Sequence, residues 1–140
     1  MISRKNYLSI LTLLLIFTIF SSCKEEKIQY RDLGTDAIER LNQNIEANKV
    51  TEVAEIANLF SPKDLVSEGN YTYKVVINEN GPLSEIEIKE EGVMDDSIDG
   101  ILTKILVKKE GNQWIVTEIK QAYKCKKNRG HQEWGPEFCN

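Results

Sequence analysis

Apolar residues recur along the chain with two different periods, and the change of period after Gly69 separates a helical part from a strand part. Before Gly69, apolar side chains stand at i, i+3, i+4 and i+7, the spacing that places them on one face of a helix. The pattern predicts a first helix over residues 36–48 and a second that ends before Pro62, since the residue preceding a proline is disfavoured in the α region. Asp36 and Glu39 have the spacing of a capping box for the first helix.

After Gly69 the period falls to two, the alternation expected of strands with one buried face. The alternation predicts four strands, at residues 71–77, 84–89, 101–107 and 114–123. Asn80-Gly81 is predicted to turn the chain between the first two, because both residues tolerate a positive φ. Two helices followed by such a meander predict an α+β fold, with two N-terminal helices packed on a four-stranded antiparallel sheet. The last two strands are apolar on both faces, so the face away from the helices should also be covered.

The beginning of the chain has the features of an export signal. Arg4 and Lys5 precede an almost wholly apolar run of 14 residues, from Tyr7 to Phe20. A helix needs roughly 20 apolar residues to span a bilayer. The run is therefore too short for a membrane span, and it matches the charged and apolar regions of a secretory signal peptide. The predicted signal peptide covers residues 1–22.

The stretch FSSCKEE, which begins at Phe20, resembles the lipobox of bacterial lipoproteins, with Phe20 at the position where that pattern usually has leucine. The resemblance implies that Cys23 is acylated on its thiol and becomes the mature N-terminus, anchored in the membrane by its acyl chains. Residues 23–34 would then be a lipidated tether, and residues 35–140 a single α+β domain. An ordinary signal peptide followed by an unrelated cysteine is the alternative.

The three residues after the cysteine bear on localisation. Lys24-Glu25-Glu26 resembles the short acidic signal that directs lipoproteins of the Bacteroidota to the cell surface. A solvated tether with no such signal is the alternative reading of the same residues. The predicted location is the cell envelope, with the lipid in the outer membrane, and both the periplasmic face and the cell surface stay open.

Charge is unevenly distributed along the chain. The formal net charge is −4 and becomes −6 without residues 1–22. The stretch from Lys120 to Asn140 carries a net +3, so the body before it is near −9. An acidic body lacks the basic face that nucleic acids require. The expected partners are therefore the membrane, through the lipid anchor, and a protein of the envelope.

The chain contains three cysteines, an odd number that normally indicates one free thiol in an exported protein. If Cys23 carries lipid, Cys125 and Cys139 remain as a pair in an oxidising compartment. The pair is predicted to form a disulfide, and closing a loop of this length stabilises a fold by about 3 kcal/mol in the chain-entropy model.

The tail between the last two cysteines, CKKNRGHQEWGPEFC, is the most distinctive stretch of the chain. Arg129, His131 and Trp134 have the composition of binding hot spots, so a closed loop is predicted to present these three residues as a contact surface. Zinc held by both cysteines and His131 is an alternative, although the spacing matches no common structural zinc site. In another alternative, Trp134 and Phe138 fold back on the open face of the sheet and Arg129 pairs with an acid such as Asp95 or Asp96.

A polar turn before the third strand partly matches a calcium-binding loop. Asp95, Ser97, Asp99 and Gly100 occupy positions 1, 3, 5 and 6 of the EF-hand pattern, where oxygen ligands converge and glycine makes the turn. Position 12, which should be a bidentate glutamate, is Leu106. The prediction is a turn without a metal, and a calcium site at the two aspartates and Ser97 is the alternative. No other cofactor is expected.

Two resemblances bear on function. The layout of helices and strands over residues 36–123 is similar to that of cystatin-like and NTF2-like folds. The polar turn together with the C-x₃-RGH-x₂-W-x₄-C tail resembles a group of small bacterial lipoproteins of unassigned function. No catalytic motif is recognised, and a paired cysteine beside the single histidine cannot act as a nucleophile. The predicted function is a non-catalytic binding or structural module. An NTF2-like ligand-binding protein or enzyme, with a pocket between sheet and helices lined by Tyr71, Tyr73 or Trp114, is the alternative.

Overall fold

A computed structural model of the protein describes residues 27–66 and 69–140. Two helices and five strands follow one another in this part of the chain: β1 Arg31–Asp32, α1 Thr35–Ala47, α2 Val53–Phe60, β2 Thr72–Asn80, β3 Leu83–Glu91, β4 Ile98–Glu110 and β5 Gln113–Cys125. The predicted α+β class and the two helices are confirmed. No helix within these ranges is both long enough and apolar enough to cross a bilayer.

The strands form one antiparallel sheet in the order β1-β5-β4-β3-β2. The prediction of four strands was wrong, because β1 adds a fifth at the edge of β5. Arg31 pairs with Gln121 and Asp32 pairs with Lys120. This two-residue strand lies in the segment that was predicted to be only a tether, and it is too short and too polar to show an alternating pattern.

The start of the first helix and the turn between β2 and β3 use other residues than predicted. Helix α1 begins after Gly34, whose φ of +79° suits glycine, and no side chain caps the first turn. The predicted capping box of Asp36 is therefore absent, and Asp32 instead accepts a hydrogen bond from the N–H of Gly34 (2.7 Å). Between β2 and β3 the two loop residues are Gly81 and Pro82, since Asn80 still pairs with Leu83.

The hydrophobic core lies between the helices and one face of the sheet, here called the inner face. Leu41 and Ile45 of α1 and Ile56 of α2 are buried together with sheet residues such as Ile86 and Ile105. Polar groups also join the two layers. The side-chain amide of Asn42 donates to the carbonyl of Val116 (3.1 Å) and accepts from its N–H (2.8 Å).

The opposite, outer face of the sheet carries charged side chains in alternating ion pairs. Lys104 lies 3.3 Å from Glu85 and 3.7 Å from Glu87, and Lys89 lies 2.8 Å from Glu91. Among them, Leu102 is buried. An apolar residue on this face needs a cover, and the two ends of the described chain supply it.

Candidate functional site

The tail forms a closed loop along the end of β5. Cys125 and Cys139 form the predicted disulfide, with Cα atoms 5.4 Å apart. The N–H of Tyr123 donates to the carbonyl of Gly135 (2.7 Å), the N–H of Gly135 donates back (3.0 Å), and the N–H of Cys125 donates to the carbonyl of His131 (2.9 Å). Residues 131–135 therefore continue the sheet edge beyond β1. Both sulfurs are bonded to each other, so neither is a thiolate that binds zinc or attacks a substrate.

His131 holds this loop together from the inside through both nitrogens of its ring. Its Nδ1 lies 2.7 Å from the carbonyl oxygen of Glu133, and its Nε2 lies 3.0 Å from that of Glu137. A neutral imidazole donates from one nitrogen only, so the protonated ring satisfies both carbonyls. These two hydrogen bonds, that of Glu133 first, raise the pKa of His131. The side chain is 19% exposed. Both polar atoms of the ring are thus used within the loop.

Trp134 turns from the loop onto the outer face of the sheet. A Cβ added at Gly100 would lie 2.7 Å from Cη2 of the indole, so the ring rests on the one strand position that has no side chain. Nζ of Lys89 stands 5.7 Å from the ring centroid, within cation–π range. On the other side of the tail, Phe138 packs at 4.6 Å between centroids against Tyr123, with the guanidinium of Arg31 over it at 4.5 Å.

The N-terminal segment of the described chain lies beside Trp134, and together they enclose a depression that we call the outer groove. It consists of two adjoining clefts of about 810 Å³ and about 480 Å³. The two clefts share three lining residues: Lys27, Ile28 and Trp134. Tyr30, Leu102 and Lys104 line the larger cleft, where Nζ of Lys104 stands 5.5 Å from the ring centroid of Tyr30.

Of the three predicted contact residues, two line the outer groove and one does not. His131 and Trp134 both face the smaller cleft, where His131 is already bonded within the loop. Arg129 is exposed at the tip of the loop. Within residues 27–66 and 69–140 its guanidinium makes no hydrogen bond or ion pair, and only its main chain is bonded, to Lys126 (3.0 Å) and Asn140 (2.7 Å). The alternative pairing of Arg129 with an acid such as Asp95 or Asp96 is therefore not formed.

The loop contacts the polar turn through Lys126 instead. Its N–H donates to the carbonyl of Ser97 (2.8 Å), and its ammonium group contacts the carbonyl of Asp95. Oδ1 of Asp95 accepts from the N–H groups of Ile98 (2.7 Å) and Ser97 (2.8 Å) and from the Ser97 hydroxyl (3.1 Å). The two backbone bonds, that of Ile98 first, lower the pKa of Asp95.

Asp99, the third residue of the alternative calcium site, does not join Asp95 and Ser97. Oδ2 of Asp99 lies 3.5 Å from Nζ of Lys124, on the outer side of the sheet. Asp95 and Ser97 are thus brought together by the turn, and Asp99 is engaged by a lysine. In the described part of the chain, no group of three or more His, Cys, Asp or Glu side chains is arranged to hold a metal ion.

A second polar cluster, at the opposite end of β3 from the hairpin, was not predicted. Glu90 is 8% exposed. Its Oε1 accepts from the hydroxyl of Tyr71 (2.9 Å), and its Oε2 accepts from the hydroxyl of Ser61 (2.8 Å). The hydroxyl of Tyr73 donates to the carbonyl of Ser61 (2.8 Å), and that of Tyr71 accepts from the N–H of Asp64 (3.3 Å). Burial raises the pKa of both tyrosines.

Strand parity is the signal that would have found this carboxylate. The second strand was predicted to end at residue 89, so Glu90 stood just outside it. Side chains alternate between faces with a period of two. Glu90 therefore shares the inner face with Ile86 and Ile88, whereas Glu87 and Glu91 share the outer one.

These features describe a small α+β domain in which the two ends of the described chain cover the outer face of the sheet. No model of a known protein family matches the chain, and no curated protein and no solved structure is significantly similar to it. Cys23, the predicted lipidation site, and the predicted signal peptide over residues 1–22 lie outside the described residues.

Proposed function

We propose that the protein is a non-catalytic binding module, held at the outer membrane by a lipid on Cys23, and that it binds a protein of the envelope in the outer groove. The observation that carries this proposal is the groove itself, which the N-terminal segment and the disulfide-closed tail build on the outer face of the sheet. A surface groove whose lining side chains do not belong to the hydrophobic core suits the binding of a partner rather than catalysis.

The lining of the outer groove supports a protein partner. Trp134 and Tyr30 offer flat aromatic faces, and Lys27, Lys89 and Lys104 surround them. Aromatic residues are enriched in the centres of protein interfaces, where they supply large contact areas at a low entropic cost. The disulfide and the His131 bonds hold the tail in place, so little order has to be gained on binding.

The position of the groove also fits a membrane tether. Four residue steps separate Cys23 from Lys27, which lines both clefts. An extended chain spans at most about 3.5 Å per residue, so a lipid on Cys23 would hold the groove within about 14 Å of the bilayer surface. The partner we propose is therefore one that itself reaches the membrane surface.

The alternative, an NTF2-like pocket between sheet and helices, has less support. Trp114 is 6% exposed and donates its indole N–H to the carbonyl of Thr51 (2.9 Å), so it serves the core. Tyr73 is bonded to the chain that leaves α2. Tyr71 lines a cleft of about 300 Å³ at the end of the sheet, and that volume is at the lower limit for small-molecule sites.

Membrane fractionation tests the anchor. Cys23→Ser removes the only thiol that can be acylated while it leaves the Cys125–Cys139 disulfide intact. The variant should leave the membrane fraction, and the wild-type protein should stay there through washing with high salt. Membrane retention of the variant would refute lipid anchoring through this cysteine.

Site-specific photo-crosslinking in intact cells tests the groove. A photoreactive residue in place of Gln29, which lines the smaller cleft, should give one discrete adduct. The matched control is Gln43, which is exposed on α1 on the other side of the sheet and should give none. Trp134→Ala should remove the adduct. Equal adducts at both positions, or an adduct at Gln29 that survives the loss of Trp134, would contradict binding in the groove.

A further inference from the structure

We infer that the cleft beside Glu90 is a second binding site, which takes the lysine or arginine side chain of a protein partner. This cleft, here called the acidic cleft, has a volume of about 300 Å³. Its main lining residues come from the chain after α2, from the residue before β2, from the end of β3, from the turn that follows β3 and from the start of β4: Ser61, Tyr71, Glu90, Met94, Asp95 and Ile98. The inference is independent of the outer groove and of the lipid on Cys23.

The floor of the acidic cleft is a carboxylate held in a fixed orientation. Each oxygen of Glu90 accepts one hydroxyl, from Tyr71 or from Ser61. A carboxylate oxygen has two acceptor positions, so one position on each oxygen remains for an incoming donor. An ammonium or guanidinium group supplies such donors together with the opposite charge, and these charge-assisted hydrogen bonds are the strong ones.

Charge complementarity selects a cation. Besides Glu90, the lining includes Asp64 and Asp95, and no lysine, arginine or histidine of residues 27–66 and 69–140 lines it. The ammonium group of Lys126 contacts the main-chain carbonyl of Asp95 from outside the lining. Helix α2 ends at Phe60, and Ser61 after it lines the cleft, so the carbonyl end of the helix, which carries a partial negative charge, also meets the cleft. A positive side chain that enters here meets a lining whose charged side chains, among the described residues, are all acidic.

Exposed apolar residues next to the acidic cleft favour a side chain on a protein over a free amine. Leu65, Val66 and Met94 are 86%, 82% and 75% exposed, the highest values among the large exposed hydrophobic residues of the described chain. Leu65 and Val66 directly follow Asp64, which lines the cleft, and Met94 lines it itself. A free amine makes no use of these apolar neighbours. The apolar residues that flank a lysine or arginine in a peptide pack against it and lose contact with water.

Met94 provides a specific probe of occupancy, because the chain contains two methionines, Met1 and Met94. The intact protein in detergent, with ¹³C-labelled methionine methyl groups, is titrated with three capped tripeptides: Leu-Lys-Leu, Leu-Arg-Leu and Leu-norleucine-Leu. Norleucine has the length of lysine without the charge. We expect the Met94 methyl resonance to shift saturably with a basic peptide and the norleucine peptide to bind at least about tenfold more weakly. Met94→Leu assigns the resonance.

Isosteric variants locate the charge. Glu90→Gln should weaken binding of the basic peptide at least about tenfold, since it removes the charge at the floor. Asp95→Asn keeps an oxygen for the turn and should weaken binding by a smaller factor. Asp96→Asn removes the same charge one residue away, outside the lining, and should change nothing. The Asp95 variant keeps the test valid if the Glu90 variant does not fold.

Three outcomes would overturn the inference. Equal affinity for the norleucine peptide would show an apolar contact with no role for the carboxylates. Equal affinity for n-butylamine and Leu-Lys-Leu would identify a free amine as the occupant and exclude docking of a protein. The absence of any Met94 shift up to about 10 mM peptide would show that the cleft does not bind this class of group. In that case the bonds of Glu90 serve only to fix the chain after α2 to the sheet.

Discussion

Replacing Gly100 with alanine tests whether Trp134 rests on the outer face of the sheet, the contact that forms one wall of the outer groove. The added Cβ would lie 2.7 Å from Cη2 of Trp134 and 3.0 Å from the carbonyl oxygen of Glu90, so the indole must move. Overpacking of this kind costs about 1–3 kcal/mol. Alanine in a strand recovers about 0.5–1 kcal/mol through the reduced entropy of the unfolded chain. We expect Gly100→Ala to lower the free energy of unfolding by about 1–2 kcal/mol.

A double-mutant cycle measured by urea unfolding separates the indole contact from the rest. In a Trp134→Ala background the closest obstacle is gone, and only the contact with the Glu90 carbonyl remains. The cost of Gly100→Ala should therefore fall by about 1 kcal/mol, which is the interaction energy of the pair. If the two substitutions are additive within about 0.5 kcal/mol, Trp134 does not rest on Gly100, and the groove loses that wall.

Two further predictions concern the loop and the core. The pKa of His131 is raised in the folded protein, so its contribution to stability is complete below about pH 6.5 and is lost as the pH rises through the folded-state value. The difference in free energy of unfolding between wild type and His131→Gln should therefore shrink with rising pH. A difference that stays constant would show that protonated His131 does not stabilise the loop. Asn42→Ala should lower the free energy of unfolding by about 2 kcal/mol, because it leaves the N–H and carbonyl of Val116 unpaired. Gln43→Ala, at the exposed neighbouring position, should have almost no effect in the same urea titration, and a similar loss in both variants would argue against the role of Asn42.

The helices and the four long strands were predictable because each buries one face. The buried positions then recur along the sequence with the period of a helix or of a strand. The ends of these elements were less predictable. Strand β4 begins at Ile98, three residues before the predicted start, and the register shifts between Ile98 and Gly100. Strand β1 left no pattern, because two exposed residues cannot alternate. Its existence depends on backbone pairing with Gln121 and Lys120, far along the chain.

The capping box shows how a short motif fails. Two acids three residues apart satisfy the pattern at Asp36 and Glu39, but a cap also needs a particular backbone angle at the residue before the helix. Gly34, with a φ of +79°, takes that position and offers no side chain. The N–H of Gly34 donates a local hydrogen bond to the carboxylate of Asp32. A two-residue match carried no information on which residue would precede the first turn.

For the candidate sites too, the sequence predicted some features and left others open. The disulfide followed from the number of cysteines, whereas the directions of the side chains inside the loop did not. Those directions depend on the pairing of Gly135 with Tyr123, which sets residues 131–135 against the sheet edge. His131 is thereby directed at the carbonyls of its own loop, and Arg129 is left at the exposed tip. Composition alone made the three predicted contact residues equivalent, and the backbone makes them different.

The apolar residues on the outer face correctly indicated that another part of the molecule covers this face. On the outer face Leu102 stands next to Lys104 of its own strand and opposite Lys89 of β3, and a buried leucine there is stable only if water is excluded from it. What covers it comes from irregular segments, which have no periodicity to reveal their position. One is the chain before β1, and the other is the tail held by the disulfide. Because both segments also line the outer groove, the burial of this face and the binding proposed for it depend on the same contacts. Substitutions that free Trp134 should therefore reduce stability and binding together.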